Sequence, residues 1–227
     1  MVKTVAAAFD ELHGRLTPLR TEIEAASRHR ASVEAALKSG HSVNRFFQSG
    51  SWGNGTSVRS QSDVDYFASI SYEEEPSDSY EILKRVQRTL QARFPRTTVL
   101  IDTPAVTILF GSGGSERYEV VPAFIEDTSD QTSFVYRIVD IQGGWLRSSP
   151  EGQKLWVAGE DHRLGDRLRP LIRFLKHWKY TNDVPISSYY LEVFATRCVR
   201  TMDLIVHSFD LPTILGALYT AQAPPVE

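Results

Sequence analysis

The stretch Phe47-Gln48-Ser49-Gly50-Ser51-Trp52-Gly53-Asn54-Gly55-Thr56, followed by Asp63-Val64-Asp65, decides how this chain is read. Ser49, Gly50 and Ser51 make a small-residue turn, and Gly50 lets the backbone approach a ligand closely. Side chains at i and i+2 of a strand share a face, so Asp63 and Asp65 are expected to project together. Two such carboxylates repel unless a divalent cation lies between them. A third carboxylate follows in Tyr118-Glu119-Val120-Val121-Pro122. A small-residue turn beside a cation can place backbone N–H groups and a hydroxyl on phosphate oxygens. The pattern points to metal-assisted chemistry on a nucleoside triphosphate.

Around this centre, Phe46-Phe47 reads as a short strand ending at the turn, and Asp63–Ile70 as the next. Ile82, Leu83, Val86 and Leu90 mark an amphipathic helix. Strands are expected at Thr98–Ile101, Ala105–Phe110 and Arg117–Val121, with Gly111-Ser112-Gly113-Gly114-Ser115 as a hairpin connection. That glycine run lacks the Lys-Ser/Thr ending and following helix of a phosphate loop. Glu73-Glu74-Glu75 lies in a solvated loop, and Trp145 after Gly143-Gly144 reads as a core anchor.

Upstream, Phe9, Leu12, Leu16, Leu19 and Ile23 recur at helical spacing, interrupted at Thr17-Pro18. Downstream, Leu168, Leu171, Leu175 and Trp178 form a helical apolar stripe, with Arg169, Arg173 and Lys176 on another face. Ser187–Met202 reads as a further helix, and the tail Ala223–Glu227 offers little structure. The expected organisation is an N-terminal helical segment over 1–40 packed on the core, a catalytic lobe over 41–150, and a helical lobe over 151–227.

Composition adds bounds rather than identity. The 227 residues are 41% hydrophobic and 23% charged, ordinary for a globular chain, and the net charge of −3 carries no global signature of nucleic-acid binding. One cysteine, Cys198, excludes an intrachain disulfide and fits a reducing compartment. No apolar run approaches membrane-spanning length and no signal-peptide pattern begins the chain, so a cytoplasmic protein is expected. The six histidines have no zinc-ligand spacing.

Gly-Ser, then Asp-hydrophobic-Asp, then a later strand carboxylate resembles the DNA polymerase β-like nucleotidyltransferases. Ser49-Gly50-Ser51, Gly55-Thr56, Ser62-Asp63-Val64-Asp65-Tyr66, Glu119-Val120-Val121-Pro122-Ala123, Leu175-Lys176-His177-Trp178 and Ser187-Ser188-Tyr189-Tyr190-Leu191-Glu192 together resemble the bacterial cGAS/DncV-like branch, the CD-NTases. The likeness runs from about Arg30 to Thr201. It implies an α/β (α+β) fold: a polymerase β-like lobe with a mixed β-sheet plus an α-helical lobe. That helical lobe is short, or truncated, for the family.

The resemblance also implies roles. Asp63, Asp65 and Glu119 are the expected ligands of Mg²⁺, for which Mn²⁺ can substitute, and the catalytic residues. Two such ions about 4 Å apart would clamp an in-line displacement at the α-phosphate. Relatives commonly carry Asp where this chain has Glu119, which adds a methylene. Gly50 and Ser51 are expected to meet the triphosphate, Lys176 to supply a point charge, Ser188 a second phosphate contact, and Tyr189 an aromatic face for a base. Arg173 shares the Lys176 face.

The implied activity is synthesis of a cyclic di- or trinucleotide from nucleoside triphosphates, with pyrophosphate release. The product would activate a separate effector in anti-phage (CBASS) signalling, with no membrane involved and no requirement for nucleic-acid binding. The competing reading is a polymerase β-like transferase acting on RNA, protein or a small molecule. Transfer to RNA would be favoured by a basic surface able to track a polynucleotide; the nearest candidate, Arg163, Arg167, Arg169 and Arg173 followed by Lys176, is interrupted by Asp161 and Asp166 and sets no continuous stripe.

Overall fold

The computed structural model describes residues 4–61, 63–127 and 132–221. Ser62 and the tail Ala223–Glu227 lie outside the described residues. The chain runs α1 (Val5–Leu16), α2 (Arg20–Gly40), β1 (Val43–Gln48), α3 (Gly50–Asn54), β2 (Val64–Ile70), α4 (Tyr80–Arg93), β3 (Thr98–Asp102), β4 (Ala105–Phe110), β5 (Glu116–Asp127), β6 (Val135–Val139), β7 (Trp145–Ser148), α5 (Pro150–Arg163), α6 (Leu168–Thr181), α7 (Ser188–Cys198) and α8 (His207–Thr220). It divides into two compact units: a sheet unit of Arg20–Gly53 and Asp63–Gln153, and a helical unit of Met1–Leu19, Asn54–Ser62 and Lys154–Glu227.

These boundaries differ from a three-part linear division. Thr17 and Pro18 end α1, whose last-turn carbonyl of His13 receives the Thr17 amide and hydroxyl. Past that break α2 belongs with the sheet, while α1 belongs with the C-terminal helices. The short segment after α3 also joins the helical unit, because its polar groups find their partners there.

Among the described residues the sheet unit is built on seven strands in the order β1-β2-β5-β4-β3, with β6 on β5 and β7 on β6. Every pairing is antiparallel except β2–β5, so the sheet is mixed. The twelve-residue β5 makes this possible: β2 occupies one edge, while β4 and β6 share the other in succession. Sequence alternation identified only its first part, since Pro122 and the run of apolar residues obscure the period of two.

Period two sorts β2 and β5 side chains onto two faces. Tyr66, Ala68, Ile70, Tyr118, Val120 and Phe124 pack with Val33 and Leu37 of α2 and with Ile82, Leu83, Val86 and Leu90 of α4. Burying each large apolar side chain here contributes about 1.5–3 kcal/mol. The two tyrosines also fix where α2 lies: Tyr66 donates to the Ala26 carbonyl at 3.2 Å and Tyr118 to that of Ala25 at 2.6 Å. Burial pushes both phenols above their ordinary pKa, so both remain donors. On the other face, Phe67, Ala123, Tyr136 and Ile138 form a smaller cluster. Trp145, read as a core anchor, begins β7, packs against the main cluster and sets its ring edge-on to Phe124 at 5.4 Å.

In the helical unit, α6 is the central element. Leu168, Leu171, Ile172 and Leu175 are buried with Val157 of α5, Ala195 of α7 and Ile214 of α8. Phe174 packs with Leu16 of α1 and Val58. Pro170 falls in the first turn of α6, where the missing N–H is tolerated. The first two amides of α6 are instead capped by the buried Asp161, whose Oδ1 accepts from Leu168 and Arg169 at 2.9 and 3.0 Å. No described helix is long and apolar enough to cross a membrane.

Candidate active site

The Gly-Ser turn is fastened to β2 by backbone bonds. The Ser49 amide donates to the Asp65 carbonyl at 2.9 Å, and the Gly53 amide closes back on Ser49 O at 2.9 Å. Gly50 adopts φ +56°, and a Cβ there would come within 1.9 Å of Asp65 Oδ2. Glycine is therefore required twice, for its left-handed backbone and for the close approach of a carboxylate. Ser51 follows it, half-buried.

Asp65 stands opposite Glu119 across the parallel β2–β5 pair, and Glu119 stands opposite Thr107 across β5–β4. All three leave the sheet on the face away from the α2–α4 core, because their neighbours in sequence fill that core. Asp63 precedes β2 by one residue rather than lying within it, and its side chain is 46% exposed.

One side chain not foreseen from the sequence ties the acids together. Arg117 Nε lies 2.9 Å from Glu119 Oε1 and 3.3 Å from Asp63 Oδ2, while its Nη2 donates to Asp102 Oδ2 at 2.5 Å. The available signal was its i−2 relation to Glu119 on one strand face; the partner Asp102, at the end of β3, is set by sheet topology alone.

The Asp63 carboxyl is pushed up to about 6, first by desolvation and then by the negative charge of Glu119, against the pull of Arg117. Desolvation works to lower the Arg117 pKa, but its bond to and charge attraction for Glu119, with the bond to Asp102, outweigh this and hold it firmly cationic.

The donor set fits a hard divalent cation. It consists of carboxylate oxygens, two of them in lateral register, with a glycine leaving room beside Asp65. Among the described residues no three His, Cys, Asp or Glu side chains already stand in metal-holding geometry. Asp63 and Glu119 are gathered on the Arg117 guanidinium instead.

The helical unit carries the remaining residues singled out by sequence, and Lys176 is placed differently from expectation. Its side chain is 1% exposed and its Nζ lies 2.8 Å from Glu192 Oε2 and 3.0 Å from Thr56 Oγ1. Thr56 Oγ1 donates to Glu192 Oε2 at 2.6 Å, and Asn54 Nδ2 donates to Glu192 Oε1. This ammonium holds the segment after the turn rather than facing solvent. Helical spacing assigned it to a polar face; its partner Glu192 comes from the next helix, which spacing within α6 does not reveal.

One turn later, Lys179 Nζ reaches Ser188 Oγ at 3.2 Å, and Tyr180 Oη lies 3.2 Å from the same oxygen. Desolvation, then the charge of Lys176, lowers the Lys179 pKa. Ser188 opens α7, capped by Ser187 Oγ, which accepts from the Tyr190 amide at 2.9 Å. Tyr189 beside it is 65% exposed.

The basic run of α5 and α6 is largely committed to internal bonds. Arg163 donates to the Met202 and Val199 carbonyls. Arg169 donates to Asn54 O and pairs with Asp161 at 2.9 Å. Arg173 donates to Ser57 O, Gly55 O and His13. With Lys176 also buried, four of the five cations that the RNA-transfer reading would draw on fasten the unit instead.

Residues 3–160 match the sequence profile of the Second Messenger Oligonucleotide or Dinucleotide Synthetase (SMODS) domain. The chain belongs to the SMODS family. It is thereby a nucleotidyltransferase of the cGAS/DncV-like, or CD-NTase, type. Solved structures give the same fold for this SMODS chain. CdnE of Elizabethkingia meningoseptica, a cyclic dinucleotide synthase with GTP and Apcpp, matches with TM-score 0.76 and 18% identity over 99% of this chain and 88% of that one. CdnC of E. coli MS115-1 with ATP gives TM-score 0.73 and 19% identity over 95% and 71%. CdnG of Bradyrhizobium diazoefficiens, a CD-NTase in complex with GTP, gives 0.66 and 13% over 88% and 72%. At these identities the likeness is one of fold. No match is found among curated proteins.

Proposed function

We propose that this SMODS enzyme joins nucleoside triphosphates into a cyclic di- or trinucleotide. The observation that carries this reading is the Asp65–Glu119 register beside the Gly50 turn, with Asp63 drawn to Glu119 through Arg117. Asp63, Asp65 and Glu119 would hold magnesium, or manganese in its stead. When bound, the ion supplies positive charge that offsets the charge growing on the α-phosphate and the leaving pyrophosphate.

The chain's own groups do the rest. Gly50 gives the phosphates access to backbone, and Ser51 offers its hydroxyl. Glu119 orients the attacking ribose hydroxyl and takes its proton. The hydroxyl oxygen bonds to the α-phosphorus, the α–β bridging P–O bond breaks, and pyrophosphate departs with the bridging oxygen. Successive transfers of the same kind follow, and the last, within the linear product, closes the ring. In the helical unit, Ser188 and Tyr189 remain the proposed phosphate and base contacts. Lys179, bonded to Ser188, replaces Lys176 as the solvent-side ammonium for phosphate, with Lys176 acting by holding Thr56.

The product is proposed to act as a second messenger on a separate effector in CBASS-type anti-phage signalling, inside the cell. The cyclic dinucleotide synthase named among the structural relatives supports the product class. Incubating the purified chain with all four NTPs and Mg²⁺ or Mn²⁺, followed by mass spectrometry, tests it. Cyclic oligonucleotide is the expected product. Transfer only to an added RNA or protein would overturn the reading.

A further inference from the structure

Thr107 completes a row across three strands: Asp65 on β2, Glu119 on β5 and Thr107 on β4, each the direct register partner of the next. Directly paired residues send their side chains to one face, with Cβ atoms about 4.5–5.5 Å apart in an antiparallel pair. The Thr107 side chain is fully buried, and its Oγ1 has no hydrogen-bond partner. A buried hydroxyl left unpaired lowers stability, whereas valine would fill the same space in a strand without that loss. Its nearest acidic register partner is Glu119, whose Oε1 is taken by Arg117 Nε.

We propose that Thr107 is a positioning residue whose hydroxyl donates to the Glu119 carboxylate when that carboxylate turns to hold a cation. The inference rests on the metal-holding role proposed above for Asp63, Asp65 and Glu119. Glutamate has one more side-chain torsion than aspartate, so a carboxylate at this position needs one more restraint to hold a fixed direction. Thr107 is the neighbour placed to supply it; a rotation within the Glu119 side chain spans the gap between paired Cβ atoms. The outer-shell donor then fixes which oxygen faces the ion, as second partners of metal ligands do.

A second orphaned hydroxyl provides the control. Ser69 Oγ is also fully buried without a partner, on the same face of β2, but it lies beyond Phe67 and opposite Ala123. It has no carboxylate as a register neighbour on β5.

The test uses the full chain and Mn²⁺ alone as probe, with isothermal titration for affinity and thermal melting without metal for stability. Thr107→Val is expected to melt no lower than the parent yet bind Mn²⁺ about tenfold or more weakly. Thr107→Ser should bind close to the parent, and Ser69→Ala should leave binding unchanged. If Thr107→Val does not fold, Thr107→Ala removes the same hydroxyl and is read in the same way. Parent-like Mn²⁺ affinity in Thr107→Val, with Asp65→Asn abolishing binding, overturns the role of Thr107 while leaving the metal site standing. Parent-like affinity in Asp65→Asn overturns the metal site itself and the inference with it.

Discussion

Lys176 and Glu192 form an ion pair of 2.8 Å with side chains only 1% and 2% exposed. Such a pair is sustained by additional bonds, and here Thr56 and Asn54 supply them. Removing one partner leaves an uncompensated charge in the interior. Lys176→Met is expected to cost about 3–5 kcal/mol, the range for breaking a buried pair. Urea titration of the parent and variant measures it. The paired replacement Lys176→Met with Glu192→Leu should recover part of that loss; no recovery would show that the two charges are not coupled.

Lys179 should separate from Lys176 in kinetics. Lys179→Ala removes an ammonium beside Ser188 without opening a buried ion pair, so a raised KM for NTP with near-parent melting is expected. An unchanged KM would remove Lys179 from the phosphate contacts.

Gly50→Ala should stop turnover. The substitution forces a Cβ into the Asp65 carboxylate at 1.9 Å and strains a backbone at φ +56°. The expected signature is a loss of product of at least about a hundredfold, equivalent to about 2.7 kcal/mol of barrier, in a protein that still melts cooperatively. Normal product formation would mean the turn does not need to approach Asp65.

Asp63→Asn should abolish turnover with the fold intact, because it removes a proposed metal ligand. Product mass spectrometry and far-ultraviolet circular dichroism on the same preparation give both readouts. Turnover near that of the parent would reject Asp63 as a ligand.

Acid should weaken the helical unit through two histidines. Burial is the main cause that lowers the pKa of both His13 and His207 below 6.5; Arg173 adds to it at His13, while the bond to the Arg167 carbonyl opposes it at His207. Arg173 can only donate, so His13 Nε2, 2.8 Å from its Nη1, must accept and be neutral. The unfolded chain therefore binds protons more readily than the folded one. The stability from these groups is complete above about pH 6.5 and falls as pH drops through the depressed folded values. Melting temperatures between about pH 5 and 8 should fall toward acid. The His13→Gln, His207→Gln double variant should show a shallower slope; an identical slope would assign the acid sensitivity elsewhere.

Much of the fold was legible because its signals are local. The Ala105–Phe110 strand and the helix around Ile82–Leu90 follow from periodicity, and Thr17-Pro18 marks a chain break by its own geometry. The role of the β2 and β5 tyrosines as donors to α2 was not legible, since their acceptors lie on another element. The length of β5 was hidden because both halves of one edge are paired by different strands.

By itself the sequence determined the chemistry available: a glycine-serine turn, two aspartates at i and i+2, and a later glutamate on a strand. Those are properties of residue type and short spacing, which the chain fixes before it folds. Only the tertiary structure decided which of them meet. The parallel β2–β5 pairing set Asp65 against Glu119, Arg117 drew in Asp63 and Asp102, and the approach of α7 to α6 buried Lys176 on Glu192 while leaving Lys179 beside Ser188. Contacts between residues distant in sequence depend on sheet register and helix packing, which minimise buried unpaired charge over a whole unit and leave no mark on any single stretch of chain.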